Sequence, residues 1–124
     1  MARKKKILYV QTSGIETPER TYAPFILGAT AIAMGMDASI FFGIKGVNIV
    51  QLGEADKVKL PQPFGSLKAA IEQAIEAGVS FLVCEESARM LGIDLKKGLI
   101  DSTKIVGAAT LNTLVMESDA VMYF

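Results

Sequence analysis

Cys84 is the one side chain of this sequence able to do nucleophilic covalent chemistry unaided, because the 124 residues hold a single cysteine and no histidine. It ends the run Val79-Ser80-Phe81-Leu82-Val83-Cys84 and precedes Glu85-Glu86-Ser87-Ala88-Arg89-Met90-Leu91. The spacing predicts a strand passing directly into a helix. A thiol at a helix N-terminus meets unpaired N–H groups and the positive end of the helix dipole, which favours the reactive thiolate. Glu85 and Glu86 oppose that effect if they face the sulfur. The competing reading is a small apolar residue packed after Val83, since free cysteine is among the most buried residue types. Both readings stay open at this level.

A second candidate is the segment from Gln11 to Arg20. Thr12, Ser13 and Gly14 follow the first predicted strand, and Arg20 adds a guanidinium, so hydroxyls, N–H groups and a cation are available to an anion. The segment has neither a Walker A lysine nor GxGxxG, and an ordinary turn with a solvated Arg20 explains it as well. Glu85 and Ser87 join Thr12, Ser13, Gly14 and Arg20 as candidate lining residues around Cys84. Without histidine, Ser-His-Asp and Cys-His catalysis and His-ligated zinc are excluded. One cysteine cannot supply paired Cys-x-x-Cys ligands, and no EF-hand spacing occurs, so the expectation is no metal. The six Met and nine aromatic residues follow no cofactor pattern and are assigned to packing, so no cofactor is expected. Glu117 and Asp119 are read as capping and spacing the last helix and strand.

The elements that must position Cys84 alternate almost without a break. Ile7 to Thr12 reads as a strand, a helix runs from Pro18 to about Met34, and Ala38 to Phe42 is the next strand. Residues 44–63 suggest a short helix near Val47 to Leu52 and then loop, ended by Pro61-Gln62-Pro63. Phe64 to Ala77 is amphipathic, with Leu67, Ala70, Ile71, Ala74 and Ile75 on one side, and Gly78 stops it. After the Cys84 unit, Lys104 to Gly107 is a strand, Ala109 to Glu117 a helix, and Ala120 to Phe124 a last strand. Alternation of this kind predicts an α/β fold in one domain over residues 1–124. It is a three-layer sandwich with a five-stranded, mostly parallel sheet and helices on both faces, laid out like flavodoxin without its phosphate loop. Ligands of such sheets gather at the carboxyl ends of the strands, where Cys84 and Thr12-Ser13-Gly14 both fall.

Thirteen basic and thirteen acidic residues cancel, which leaves no overall field for nucleic acid or an anionic membrane. Arg3-Lys4-Lys5-Lys6 is followed by too short an apolar run for a signal peptide, and no stretch reaches the roughly 18 apolar residues of a membrane span. A lone thiol persists most easily in a reducing compartment. The expectation is a soluble cytoplasmic protein. Hydrophobic residues form 51% of the chain, and the mean hydropathy is +0.38. That is apolar for so small a domain, which points to a homo-oligomer hiding part of the excess.

Gly78 to Ile93 resembles the cysteine signature of the DsrE/DsrF-like family. Thr12-Ser13-Gly14 with Arg20, Gly35-Met36-Asp37 to Phe41-Phe42, Gly107-Ala108-Ala109 and Asp119-Ala120-Val121 fall in that family's order, so the likeness covers nearly the whole chain. The resemblance implies a five-stranded parallel domain forming trimers or hexamers. It also implies that the cysteine, here Cys84, carries a persulfide between sulfur-donor and sulfur-acceptor proteins. A thiolate can accept sulfane sulfur without metal or histidine. Sulfur relay is therefore the leading expectation. An oligomeric binding module for a small anion or a protein, with Cys84 structural, is the alternative. A thiol peroxidase ranks third, because its sulfenate needs a resolving thiol and the chain has no second cysteine.

Overall fold

The computed structural model describes residues 3–63 and 65–124. The chain runs β1 (Lys6–Gln11), α1 (Ala23–Ala33), β2 (Asp37–Phe42), α2 (Leu67–Ala77), β3 (Ser80–Cys84), α3 (Glu85–Met90), β4 (Thr103–Val106), α4 (Ala108–Glu117) and β5 (Ala120–Tyr123). The sheet order is β4-β3-β2-β1-β5, and every neighbouring pair is parallel. The first four strands step in one direction across the sheet, and α4 then carries the chain back to set β5 beside β1. Right-handed crossovers therefore place α1 and α2 on one face and α4 on the other.

Period-two alternation sends each strand's side chains to two different cores. Tyr9, Ile40, Phe42, Phe81 and Val83 face α1 and α2, where they meet Phe25, Ala31, Leu67, Ala70, Ile71 and Ala74. Phe25 lies 5.9 Å from Phe42 and 5.5 Å from Phe81 between ring centroids, and burying such a ring is worth about 1.5–3 kcal/mol. Leu8, Val10, Phe41 and Cys84 point the other way, beneath Leu111, Leu114 and Val115 of α4. The two covers differ in weight. Helix α2 buries four residues, whereas α4 buries none completely. One amphipathic helix spread over a five-stranded face leaves gaps beside it, and the Cys84 face is the one so covered.

Local chemistry sets the element ends. Ser66 caps α2 by accepting the N–H of Ala69 at 3.1 Å, and Gly78 ends the helix at φ 101°, a conformation glycine adopts without a Cβ clash. The predicted helix start at Phe64 lies outside the described residues, and the helix itself begins at Leu67. The long first helix predicted from Pro18 is in fact two pieces, a 3-10 turn at Pro18–Arg20 and then α1. Pro24 is the reason, since proline has no N–H to give the Arg20 carbonyl, which Gln11 Nε2 takes instead. Thr21 closes the turn through its hydroxyl to Pro18 O at 2.7 Å. Residues 44–63 contain more order than expected. Ile44–Val50 and Ala55–Lys57 form 3-10 segments, and isolated bridges join Gln51 to Leu99 and Lys59 to Ser66. Among the described residues no helix is long and apolar enough to cross a membrane.

Candidate functional site

Cys84 closes β3 and serves as the residue preceding the first turn of α3, with φ −69° and ψ 116°. In register it pairs with Val106 of β4, and Phe42 on β2 pairs with Val83. The sulfur thus sits at the carboxyl edge of the sheet, as the strand pattern predicts. Its side chain faces α4 and is 8% exposed. Beside it is a cavity of about 180 Å³, walled by Val10, Thr12, Phe41, Gly43, Ile44, Ser87, Ala108 and Leu111 together with Cys84. This is below the roughly 300–1,000 Å³ of ordinary small-molecule pockets, so it suits a group of a few heavy atoms. No lysine or arginine is in its wall.

Glu86 is the ionisable partner of the sulfur. The Cys84 thiol donates to Glu86 Oε1 at 3.6 Å, and Ala108 N, in the first turn of α4, donates to Glu86 Oε2 at 3.4 Å. The backbone N–H of Glu86 itself and then that of Ala108 hold the Glu86 carboxyl below the usual carboxylate range, with a smaller contribution from the thiol. The carboxylate therefore stands charged beside the sulfur and outside the cavity wall, bridging Cys84 and the first turn of α4.

The loop after β2 forms the opposite rim. Ile44 has φ 52° and is the one non-glycine residue with a positive φ among those described. For a β-branched side chain that is a strained conformation. Its N–H donates to Ser87 Oγ at 2.8 Å. Gly46 lies so close to β1 that a Cβ there would overlap the carbonyl oxygen of Gln11. Its N–H donates to Thr12 O at 3.1 Å.

The sequence-predicted residues separate into two groups. Cys84, Thr12 and Ser87 come together at the cavity, although both hydroxyls are engaged, that of Thr12 donating to Phe124 O at 2.9 Å. Ser13, Gly14 and Arg20 stand outside the cavity wall. The loop that holds them is closed on itself, with Thr17 N bonded to Gly14 O and Arg20 N to Thr17 O. Gln11 Nε2 ties it from below through Ser13 O and Arg20 O at 2.8 and 2.9 Å. The spare buried polar atom there is Gln11 Oε1, an acceptor, which offers an anion nothing. Glu85 turns to Arg89 at 3.1 Å, so the carboxylate at the sulfur is Glu86 and not Glu85. Among the described residues no three His, Cys, Asp or Glu side chains gather in a metal-binding group.

Sequence reasoning did not find Ile44, Ala108, Leu111, Val10 and Phe41 as wall residues. Val10 and Phe41 carried a usable signal, since strand alternation puts them at the carboxyl ends of β1 and β2. Ile44 carried none, because a positive φ at isoleucine contradicts local preference.

A family model described as the DsrE/DsrF-like family matches residues 5–124. An uncharacterized protein of Methanocaldococcus jannaschii, MJ0760, is 32% identical over 105 residues, covering 85% of this chain and 38% of that protein. The chain thus spans about two fifths of the length of that curated relative. Among solved structures, the YchN protein of E. coli superposes with a TM-score of 0.76 at 17% identity, covering 98% of this chain and all of that one. MTH1491 of Methanobacterium thermoautotrophicum, a protein of unknown function, gives 0.62 at 12% identity with the same coverage. At these identities the likeness is one of fold.

Proposed function

This chain belongs to the DsrE/DsrF-like family, and from that premise we propose that it is a sulfur-relay protein carrying sulfane sulfur as a persulfide on Cys84. The observation that carries this reading is the position of the sulfur. The chain's single nucleophilic thiol borders a small, largely apolar cavity at the carboxyl edge of the parallel sheet. A thiolate there attacks the outer sulfur of a persulfide donor, and the same bond is later surrendered to an acceptor thiol. Apolar walls slow hydrolytic and oxidative loss of the loaded sulfur by keeping water away. The test is intact-protein mass spectrometry after exposure to a low-molecular-weight persulfide donor. One added sulfur atom per chain, lost on reduction and absent in Cys84→Ser, supports the reading. An unmodified, folded wild-type chain refutes it.

The donor and acceptor are read as proteins on the family resemblance, and a cavity of about 180 Å³ admits only the sulfur-bearing end of either. A homo-oligomer goes with this reading. Met116 on α4 is 84% exposed and Tyr123 on β5 is 65% exposed, apolar surface that association would cover. Sedimentation of the purified chain tests it. The alternative, a binding module with a structural Cys84, draws on the 8% exposure of that residue and predicts full function for Cys84→Ser.

A further inference from the structure

The cavity beside Cys84 is nearly free of polar surface, and the charged group that meets its sulfur is a carboxylate. Glu86 Oε1 receives the thiol at 3.6 Å, Oε2 is anchored by Ala108 N, and no cation in the cavity wall offsets the charge. Arg89, the basic residue on α3, is occupied by Glu85. A sulfur donor that reaches Cys84 therefore meets a negative charge within 3.6 Å of the nucleophile.

We propose that Glu86 is a specificity-determining residue of the Cys84 site, favouring uncharged sulfane-sulfur donors such as a protonated persulfide or an organic polysulfide over anionic donors such as thiosulfate. This rests on the persulfide reading above. For a persulfide donor the step is R–S–SH plus the Cys84 thiolate giving Cys84–S–SH plus R–S⁻. The donor's S–S bond breaks, a new one forms to Cys84, the departing thiolate takes the electron pair, and the proton lost by Cys84 ends on it. No charge accumulates beside Glu86 in this exchange. With thiosulfate, a dianion has to come within a few ångströms of the carboxylate, and sulfite leaves past it. At such separations like charges repel strongly enough at low ionic strength to slow the reaction about fivefold or more, and salt removes the effect.

The experiment compares two electrophiles of nearly equal size, neutral iodoacetamide and anionic iodoacetate, on wild type and on Glu86→Gln. In both the Cys84 thiolate forms an S–C bond and iodide leaves with the electron pair. The expected result is that Glu86→Gln raises the iodoacetate rate about fivefold relative to the iodoacetamide rate at low salt. The same ordering then holds for loading from thiosulfate, which releases sulfite and leaves Cys84–S–S⁻, relative to an organic trisulfide R–S–S–S–R, where attack on the central sulfur releases R–S⁻ and leaves Cys84–S–S–S–R. In wild type the iodoacetate rate should climb with added salt more steeply than it does for mercaptoethanol, whose thiolate alone repels the reagent, a readout that stands even if the variant does not fold. Reactive Cys84 with the same rate ratio in both proteins and a salt dependence no steeper than that of mercaptoethanol overturns the role of Glu86 and leaves the persulfide reading intact. A Cys84 silent to both reagents in the folded protein overturns the persulfide reading and this inference with it.

Discussion

Ser87 Oγ accepts the backbone N–H of Ile44 at 2.8 Å, and that bond clamps a β-branched residue held at φ 52° against the first turn of α3. Two rims of the Cys84 cavity are thereby locked together, one from the β2 loop and one from the helix after the cysteine. Ser87→Ala leaves that N–H without its acceptor and is expected to cost about 1 kcal/mol of stability. Because Ile44 is then free to leave its strained conformation, Cys84 should react severalfold faster with a small alkylating agent. Urea unfolding and alkylation kinetics measure the two effects. An unchanged rate would mean that the Ile44 rim does not limit access.

Gly46 sets the depth of the same loop. Any Cβ there runs into Gln11 O, which is main chain in β1, paired on both sides, and cannot yield without disturbing the sheet. Gly46→Ala is expected to destabilise by about 3 kcal/mol, the upper end of the usual range for overpacked core sites. Gly53→Ala makes a useful contrast, since open space surrounds that position and its cost comes from its φ of 80° alone, about 1–2 kcal/mol. Thermal denaturation of the two variants checks the ordering, and equal losses would remove the steric explanation.

The fold was readable because each strand and helix obeys its own period. The run from Ser80 to Cys84 is apolar enough to be a central strand, the helix face of Leu67, Ala70, Ile71 and Ala74 repeats at helical spacing, and Gly78 marks its end. What local pattern does not carry is which strand lies beside which. The Cys84 cavity is assembled from β1, β2, β3, α3, α4 and the β2 loop, so its walls follow from the β4-β3-β2-β1-β5 order. Glu86 was visible in the sequence as a charge near the cysteine. Its hold on Ala108, twenty-two positions later, depends on α4 crossing back over the sheet.

Asp119 ties the beginning of the described chain to the last strand. It accepts Arg3 Nη2 at 2.7 Å and Nη1 at 2.8 Å and the N–H of Lys6 at 2.8 Å. Arg3 and then the Lys6 N–H hold its carboxyl far below the usual carboxylate range. A carboxyl whose folded-state pKa is depressed adds stability above its unfolded value, near 3.9, and that stability is lost as pH falls toward the folded value. Wild type should therefore lose thermal stability steadily from about pH 5 downward, and Asp119→Asn should show a shallower decline over that range. Melting temperatures at pH 6, 5, 4 and 3 give the comparison. Because Arg3 is exposed, added salt should narrow the gap between the two proteins, and a gap that widens with salt would contradict the ion-pair origin.

Helix α4 is the adjustable wall of the cavity, and two of its residues test that in opposite directions. Ala108 is exposed where it borders the cavity, whereas Leu111 is half-buried against the Cys84 face of the sheet. Ala108→Leu adds bulk at the mouth without entering a packed core, so it should slow alkylation and sulfur loading of Cys84 severalfold while stability changes by less than about 0.5 kcal/mol. Leu111→Ala removes wall atoms and should cost about 1–3 kcal/mol, less than a fully buried leucine because the site is only partly enclosed. It should also speed the same reactions. If the wall controls access, rate moves with the size of the side chain at these two positions and not with stability. Should Leu111→Ala slow the reaction in proportion to its loss of stability, the cavity is not the route to Cys84, and the thiol is reached through local opening of α4 instead.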